Sequence, residues 1–249
     1  MRTAFHHVAY RNLDICNALS WDSLKSALGH AGLKAGARVA DIGCAYARTS
    51  ILMAETFGAE ATAVELDPRL AEEAKRLAAA SAAPDKVTIL NEASIDALRR
   101  LPPFDMILAL GTTYPAGRDI AEPKDIFAEL AKHILPGGCL VWGDLTWTAQ
   151  PPEPLHQMVS LSGTYLDDSG WKQAARNAGL DIVSDRLSDA DEWHHYRHNM
   201  EKDVADWLAA HPDHPDALAM EQANHRIRLM YDFGADCLGF GLYVFRRPV

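Results

Sequence analysis

The chain has 249 residues, 48% of them hydrophobic and 23% charged, which is enough for one α/β domain with a sizeable core. Its 24 Lys and Arg face 34 Asp and Glu, with a net charge of −10 and no basic run; phosphate backbones are bound by neutralising them, so nucleic acid is not an expected partner. No apolar run approaches the roughly 20 residues of a membrane span, the N-terminus lacks an apolar signal core, and the four scattered cysteines form no Cys-x-x-Cys pair. A cytoplasmic protein with reduced thiols and no membrane partner is expected.

Leu19, Leu24, Ala27 and Leu28 repeat at helical spacing, and Gly32 and Gly36 then punctuate the chain. A regular alternation follows. Residues 39–42 form a short apolar strand, and Ile51, Leu52, Ala54 and Phe57 a helical face that Gly58 stops. Residues 61–65 are a second strand, after which Asp67 caps a helix with Pro68 at its first position. Strands at 87–90 and 106–110 come next. Ile126, Leu130 and Ile134 read as one helix, broken by Pro136-Gly137-Gly138 ahead of a fifth strand at 139–142. Residues 150–154 form a stiff proline-rich connection. Asp167-Asp168-Ser169 offers caps for a helix through Trp171, Ala174, Ala175 and Ala178, and residues 180–183 are a sixth strand. The segment 191–236 is mostly helical, interrupted at residues 211–215, and is too long for a simple connection. It reads as an inserted cap ahead of a last strand at 238–245. Strands alternating with helices indicate a mostly parallel sheet covered on both faces, with ligands at the carboxyl ends of its strands.

The chemistry-bearing residues fall at those ends. The first turn reads Asp41-Ile42-Gly43-Cys44-Ala45-Tyr46-Ala47-Arg48, and the second strand closes on Glu65-Leu66-Asp67-Pro68. With Asn91-Glu92-Ala93, Phe104-Asp105-Met106 and Leu135-Pro136-Gly137-Gly138 in order, residues 36–145 resemble the class I S-adenosylmethionine-dependent methyltransferases. The resemblance implies a Rossmann-like doubly wound sheet with a final antiparallel strand and a helical cap. It implies an N-terminal helical lid over residues 1–36 and a cofactor-binding domain over residues 37–249. S-adenosylmethionine would be held by Asp41, Gly43, Cys44, Ala45, Glu65, Leu66, Glu92, Ala93 and Leu110. Glu65 lies 22 residues beyond Gly43, and an ionised carboxylate accepts from both hydroxyls of a ribose diol. Asp41 would meet the ammonium of the cofactor, and Glu92 the amino group of its adenine.

The family's second and third motif glycines are here Ala45 and Ala47. Either the turn is compatible with right-handed backbone, or the ligand is displaced, or its affinity is reduced. The alternative to an enzyme is therefore a module that senses S-adenosylmethionine without turnover. A dinucleotide-binding G-x-G-x-x-G is not met, because Gly43, Ala45 and Arg48 occupy its positions. Leu101-Pro102-Pro103-Phe104 precedes the fourth strand, whereas an amino-group methyltransferase of nucleic acids carries its Pro-Pro motif after it.

The expected reaction is methyl transfer to a small molecule. Asp144, His194 and Tyr196 are the candidate bases, and Tyr114, Trp147, Trp193 and Tyr196 the candidate acceptor contacts. His194 and His198 are one helical turn apart, but no H-E-x-x-H accompanies them, so no metal is expected.

Overall fold

The computed structural model describes residues 3–249. Two short helices, α1 (His6–Ala9) and α2 (Trp21–His30), lead into the alternating region. There β1 (Arg38–Ile42), α3 (Arg48–Phe57), β2 (Glu60–Val64), α4 (Pro68–Ala79), β3 (Val87–Leu90), α5 (Ser94–Arg100), β4 (Phe104–Leu110), α6 (Pro123–Ala131) and β5 (Ile134–Trp147) follow in turn. The remainder is α7 (Glu153–Ser160), α8 (Asp168–Asn177), β6 (Asp181–Leu187), α9 (Ala190–Ala210), α10 (Ala217–Phe233) and β7 (Leu238–Arg246). One seven-stranded sheet has the order β3-β2-β1-β4-β5-β7-β6. The strands from β1 to β5 pair in parallel, and β7 runs antiparallel to both β5 and β6. The strand order reverses between β1 and β4, which is where such sheets open a crevice for ligands.

Period-two alternation divides each strand between two cores. Val39, Leu108 and Val141 face one side with α2 and the cap residues Tyr196, Met200 and Val204. Ile42, Ile107 and Leu140 face the other, where Phe127 of α6 meets Trp142 edge to face at 5.0 Å. The N-terminal residues share the first core: Leu24 and Leu28 are fully buried in it beside Val8, Leu13 and Ile15.

The helical cap is the pair α9 and α10. Its first helix leaves the carboxyl end of β6, and its second delivers the chain to Leu238, which pairs with Trp147 at the carboxyl end of β5. The cap therefore stands on the ligand-binding edge of the sheet. Asp189 and Glu192 close the start of α9 with a capping box. Glu192 also accepts from Ser20 N–H and Oγ, both at 2.8 Å, and pairs with Arg186 at 2.9 Å. Burial pushes its carboxyl up, but Arg186 and the serine donors outweigh that and hold it at about 2. One buried acid thus joins the N-terminal segment, β6 and the cap.

Two elements differ from the sequence-based expectation. Ile134 is not on α6, which ends at Ala131; it opens β5 and pairs with Phe104, while His133 O accepts from Phe104 N–H at 2.9 Å. An open backbone edge on β4 outcompetes one further helical turn. Residues 153–160 form α7, whose first two residues belong to the stretch 150–154 expected as a stiff connection. Pro154 sits in its first turn, where no backbone N–H is needed, and Leu155 and Val159 are buried beneath it.

Candidate active site

Asp41 is the last but one residue of β1, and its buried side chain accepts from Ser50 Oγ at 2.6 Å. Burial, with the Glu65 charge nearby, pushes its carboxyl up to about 6 despite that hydrogen bond. Gly43 follows with φ +71°, and a Cβ there would lie 2.6 Å from Thr112 Cγ2, so the turn requires glycine on both counts. Thr112 in turn donates to Ile42 O at 2.7 Å and holds the loop after β4 against this turn.

Ala45 and Ala47 both adopt left-handed backbone, with φ 49° and 54°. Of the three alternatives left open for this turn, a right-handed backbone is the one the structure removes: the chain keeps the glycine-type geometry with alanines in it, at a steric cost of roughly 1–2 kcal/mol each. The geometry has a use. It directs Ala45 N–H onto Glu65 Oε2 at 2.8 Å, while Glu65 Oε1 accepts from Asp67 N–H at 2.8 Å. Burial raises the Glu65 carboxyl against those backbone donors. The acid is thus oriented by the β1 turn and by its own strand end together. Beside it Leu66 is 63% exposed, an apolar side chain turned outward next to a carboxylate. Glu92 is paired with Arg100, and Ala93 precedes α5 as its N-cap residue.

Asp41, Gly43, Cys44, Ala45 and Leu110 line one cavity of about 30 Å³, whose other wall is the N-terminal segment at Cys16 and Asn17. That segment is bound down at several points. Asn17 Nδ2 donates to Leu110 O at 3.1 Å, Tyr46 OH to His7 O at 2.8 Å, and Arg48 to Arg11 O at 3.1 Å. Small-ligand pockets run to about 300–1,000 Å³, so this cavity as it stands is smaller than a ligand of cofactor size needs.

On the other face of the sheet, a cavity of about 270 Å³ is lined by Thr112, Tyr114, Trp142, Asp144, Tyr165 and Trp171. Burial pushes the Asp144 carboxyl up to about 7, although Leu145 N–H donates to it at 2.8 Å. Burial and the Asp144 charge push the Tyr165 phenol up to about 12. Tyr114 holds φ 57° with Arg118 over its ring at 5.4 Å.

The remaining candidates sit apart from these two cavities. Trp147 lines a third cavity, with its ring 5.8 Å from that of His156. His194 is exposed in a groove with Trp193 and Arg197 and stacks on His198 at 5.9 Å. Tyr196 is buried in the core, its hydroxyl 3.4 Å from those of Tyr10 and Tyr231. Sequence reasoning passed over Ser50, Thr112 and Cys16. The first two carry no motif, being an ordinary helix serine and a loop threonine; only the packed turn reveals that they hold Asp41 and Gly43.

Residues 39–138 match the family model described as a methyltransferase domain. The chain is 24% identical over 215 residues to the uncharacterized protein YjhP of Escherichia coli K12, covering 85% of each chain. Among solved structures it superposes on a SAM-dependent methyltransferase from Thiobacillus denitrificans, in complex with S-adenosyl-L-homocysteine, with a TM-score of 0.83 at 23% identity, covering 98% of this chain and 99% of that one. A SAM-dependent methyltransferase from Geobacter sulfurreducens, in complex with the same compound, gives 0.82 at 21% identity, covering 97% and 96%.

Proposed function

We propose that this chain, whose residues 39–138 match a methyltransferase-domain model and whose fold superposes on SAM-dependent methyltransferases, transfers the methyl group of S-adenosylmethionine to a small-molecule acceptor. The observation that carries the cofactor is Glu65. Its carboxylate is held by two backbone N–H groups at the end of β2, one of them from the left-handed turn after β1, which is the placement a ribose diol requires. Asp41 supplies a buried carboxylate for the ammonium, with one oxygen engaged by Ser50. Leu66 offers its exposed face to adenine, and Glu92 shares its carboxylate between Arg100 and the adenine amino group.

Bound there, the cofactor supplies an electrophilic methyl on a sulfonium, which departs as a neutral thioether. What the chain adds is alignment and dryness. The N-terminal segment, tied down through Asn17, Tyr46 and Arg48, excludes water once the ligand is in place. Holding the reacting atoms about 3–3.5 Å apart and in line accounts for much of such a rate. Asp144 is the candidate base for an acceptor that must lose a proton, since a carboxyl raised to about 7 is matched to proton transfer near neutrality. Tyr114 shares its cavity. Trp147, Trp193 and His194 lie in other grooves and reach an acceptor only if that acceptor extends under the cap.

Titration calorimetry tests the reading. S-adenosylmethionine and S-adenosylhomocysteine bind one per chain, and NAD and FAD do not. Glu65→Ala weakens binding by about 1.5–3 kcal/mol, the range for hydrogen bonds to a charged group. Absence of binding at millimolar ligand removes the reading, and an unchanged affinity in folded Glu65→Ala removes the role of Glu65.

A further inference from the structure

The start of the chain meets the loop after β2 through three side chains with metal-ligating atoms. His7 Nε2 lies 2.7 Å and His6 Nε2 3.8 Å from the same oxygen, Asp67 Oδ2. All three ligand atoms fall within 4.8 Å of one another, and no other group of three or more potential ligands does so among the described residues. A tetrahedral zinc ion with bonds of about 2.0–2.2 Å keeps its ligand atoms about 3.3 Å apart, so small side-chain movements suffice to seat one.

Two further observations point to an ion rather than to a simple hydrogen bond. Consecutive helical residues do not face each other, yet both imidazoles of α1 turn onto one carboxylate oxygen, their rings edge to face at 5.0 Å. Asp67 also divides its work: Oδ1 accepts the N–H groups of Arg69 and Leu70 as the cap of α4, and Oδ2 is left for the histidines. The cap thus fixes the ligand oxygen toward α1. His7 also lines a groove of about 1,300 Å³ that runs between α1, α4 and the end of α9, so the open coordination positions of an ion would face a space filled by solvent or a ligand.

We propose that His6, His7 and Asp67 bind a divalent transition-metal ion, zinc by the nature of the donors, which fastens the N-terminal segment to the strand end carrying Glu65. Two imidazoles and one carboxylate are a donor set that zinc accepts with a water in the fourth position. The ion joins residues two positions beyond Glu65 to the segment that walls the Asp41 cavity. It therefore slows cofactor release without touching the transferred methyl. This second half rests on the cofactor reading above; the site itself does not.

The experiment titrates the metal-stripped full chain with Zn²⁺ by calorimetry, and with Co²⁺ by visible absorption. One ion binds per chain, raises the melting temperature and gives the intense visible bands of low-coordinate cobalt. Asp67→Asn keeps the helix cap, because asparagine caps as well as aspartate, and loses at least about tenfold in affinity, the scale of perturbing a metal site. His7→Gln does the same. The His194→Ala/His198→Ala double variant, which removes the stacked pair on α9, binds as the parent does. No saturable binding, unchanged binding in both Asp67→Asn and His7→Gln, or loss in the α9 double variant overturns the site. S-adenosylhomocysteine is then titrated with and without Zn²⁺. Dissociation slowed severalfold by the metal supports the fastening, and equal rates overturn it. If that ligand binds in neither state, the cofactor reading falls and the fastening with it, while the ion site stands.

Discussion

Alanines 45 and 47 hold a conformation that glycine adopts freely. Replacing each by glycine removes a clash of roughly 1–2 kcal/mol and adds unfolded-chain entropy of about 0.4–1 kcal/mol. Ala45→Gly and Ala47→Gly are therefore each expected to stabilise the protein by about 0.5–1 kcal/mol in urea denaturation; a lower midpoint would show that the methyl groups pack favourably. Asp41 sets an opposed pair of effects. Its folded value of about 6 lies above the unfolded value of 3.8, so between those limits the folded state holds more protons and stability falls as pH rises. At pH 8 the ionised, buried carboxylate is a cost to the ligand-free fold. Asp41→Asn is accordingly expected to raise the melting temperature at pH 8, with the gain fading by pH 4, and to weaken S-adenosylmethionine binding. Affinity of the parent should drop as pH falls through about 6, and that of Asp41→Asn should not. A variant no more stable than the parent at pH 8 would count against the burial argument.

At the scale of elements, hydrogen bonds of buried side chains tie the cap to the N-terminal segment. Glu192 bonds to Ser20 and Arg186, Asp203 accepts from Asn12 N–H and Nδ2, and Tyr196 meets Tyr10 and Tyr231. Tyr196 is 5% exposed and packs in the main core. Its removal therefore reads out first as stability: Tyr196→Ala should cost about 3–5 kcal/mol, as aromatic truncations in cores do. Tyr196→Phe keeps the ring and loses a hydroxyl whose hydrogen bonds are worth about 1 kcal/mol. A Tyr196→Phe variant with parental stability and cofactor affinity but reduced turnover would assign the hydroxyl to the acceptor. Parental turnover would leave it a core residue. Trp193, half-buried with its ring 5.3 Å from Tyr231, is the better probe of the groove, because it borders open space.

Across the whole molecule, ligand binding and stability are linked. The residues proposed to line the cofactor come from the ends of β1, β2 and β4 and the loop after β3, with the N-terminal segment as the other wall. A ligand that bridges them binds the folded state alone. At a hundred times its dissociation constant it should add about 2.7 kcal/mol. For a chain of this size that corresponds to a rise in melting temperature of roughly 5–10 °C, readable in a thermal scan with S-adenosylhomocysteine. On the reading that the segment lifts to admit the ligand, binding should be slower than encounter and limited by that opening. Deleting the Asn17 tie to Leu110 by Asn17→Ala should speed both binding and release in stopped-flow measurements, and unchanged rates would show that the opening lies elsewhere.

The alternation of strands and helices, the β1 turn, Glu65 at the end of β2 and the capping of α4 by Asp67 were all legible in the chain, because each is a local pattern whose period or turn chemistry declares itself over a few residues. The inserted cap was legible for a different reason, as a length of chain that no connection needs. Local signals failed where a distant partner decided the outcome. Ile134 continues a helical spacing, yet the unpaired edge of β4 takes it into β5. The proline-rich start of α7 hides a helix that exists because Leu155 and Val159 find a core. The left-handed form of Ala45 comes with the hydrogen bond from its N–H to Glu65, a partner 20 residues away, not from any preference of alanine. Tyr196 and His194 are two residues apart on one helix, and nothing in their spacing says that one is core and the other solvent. The meeting of His6, His7 and Asp67 is the extreme case: residues separated by about 60 positions share an oxygen only after α1 docks beside α4, since side-chain convergence depends on tertiary packing that no local pattern encodes.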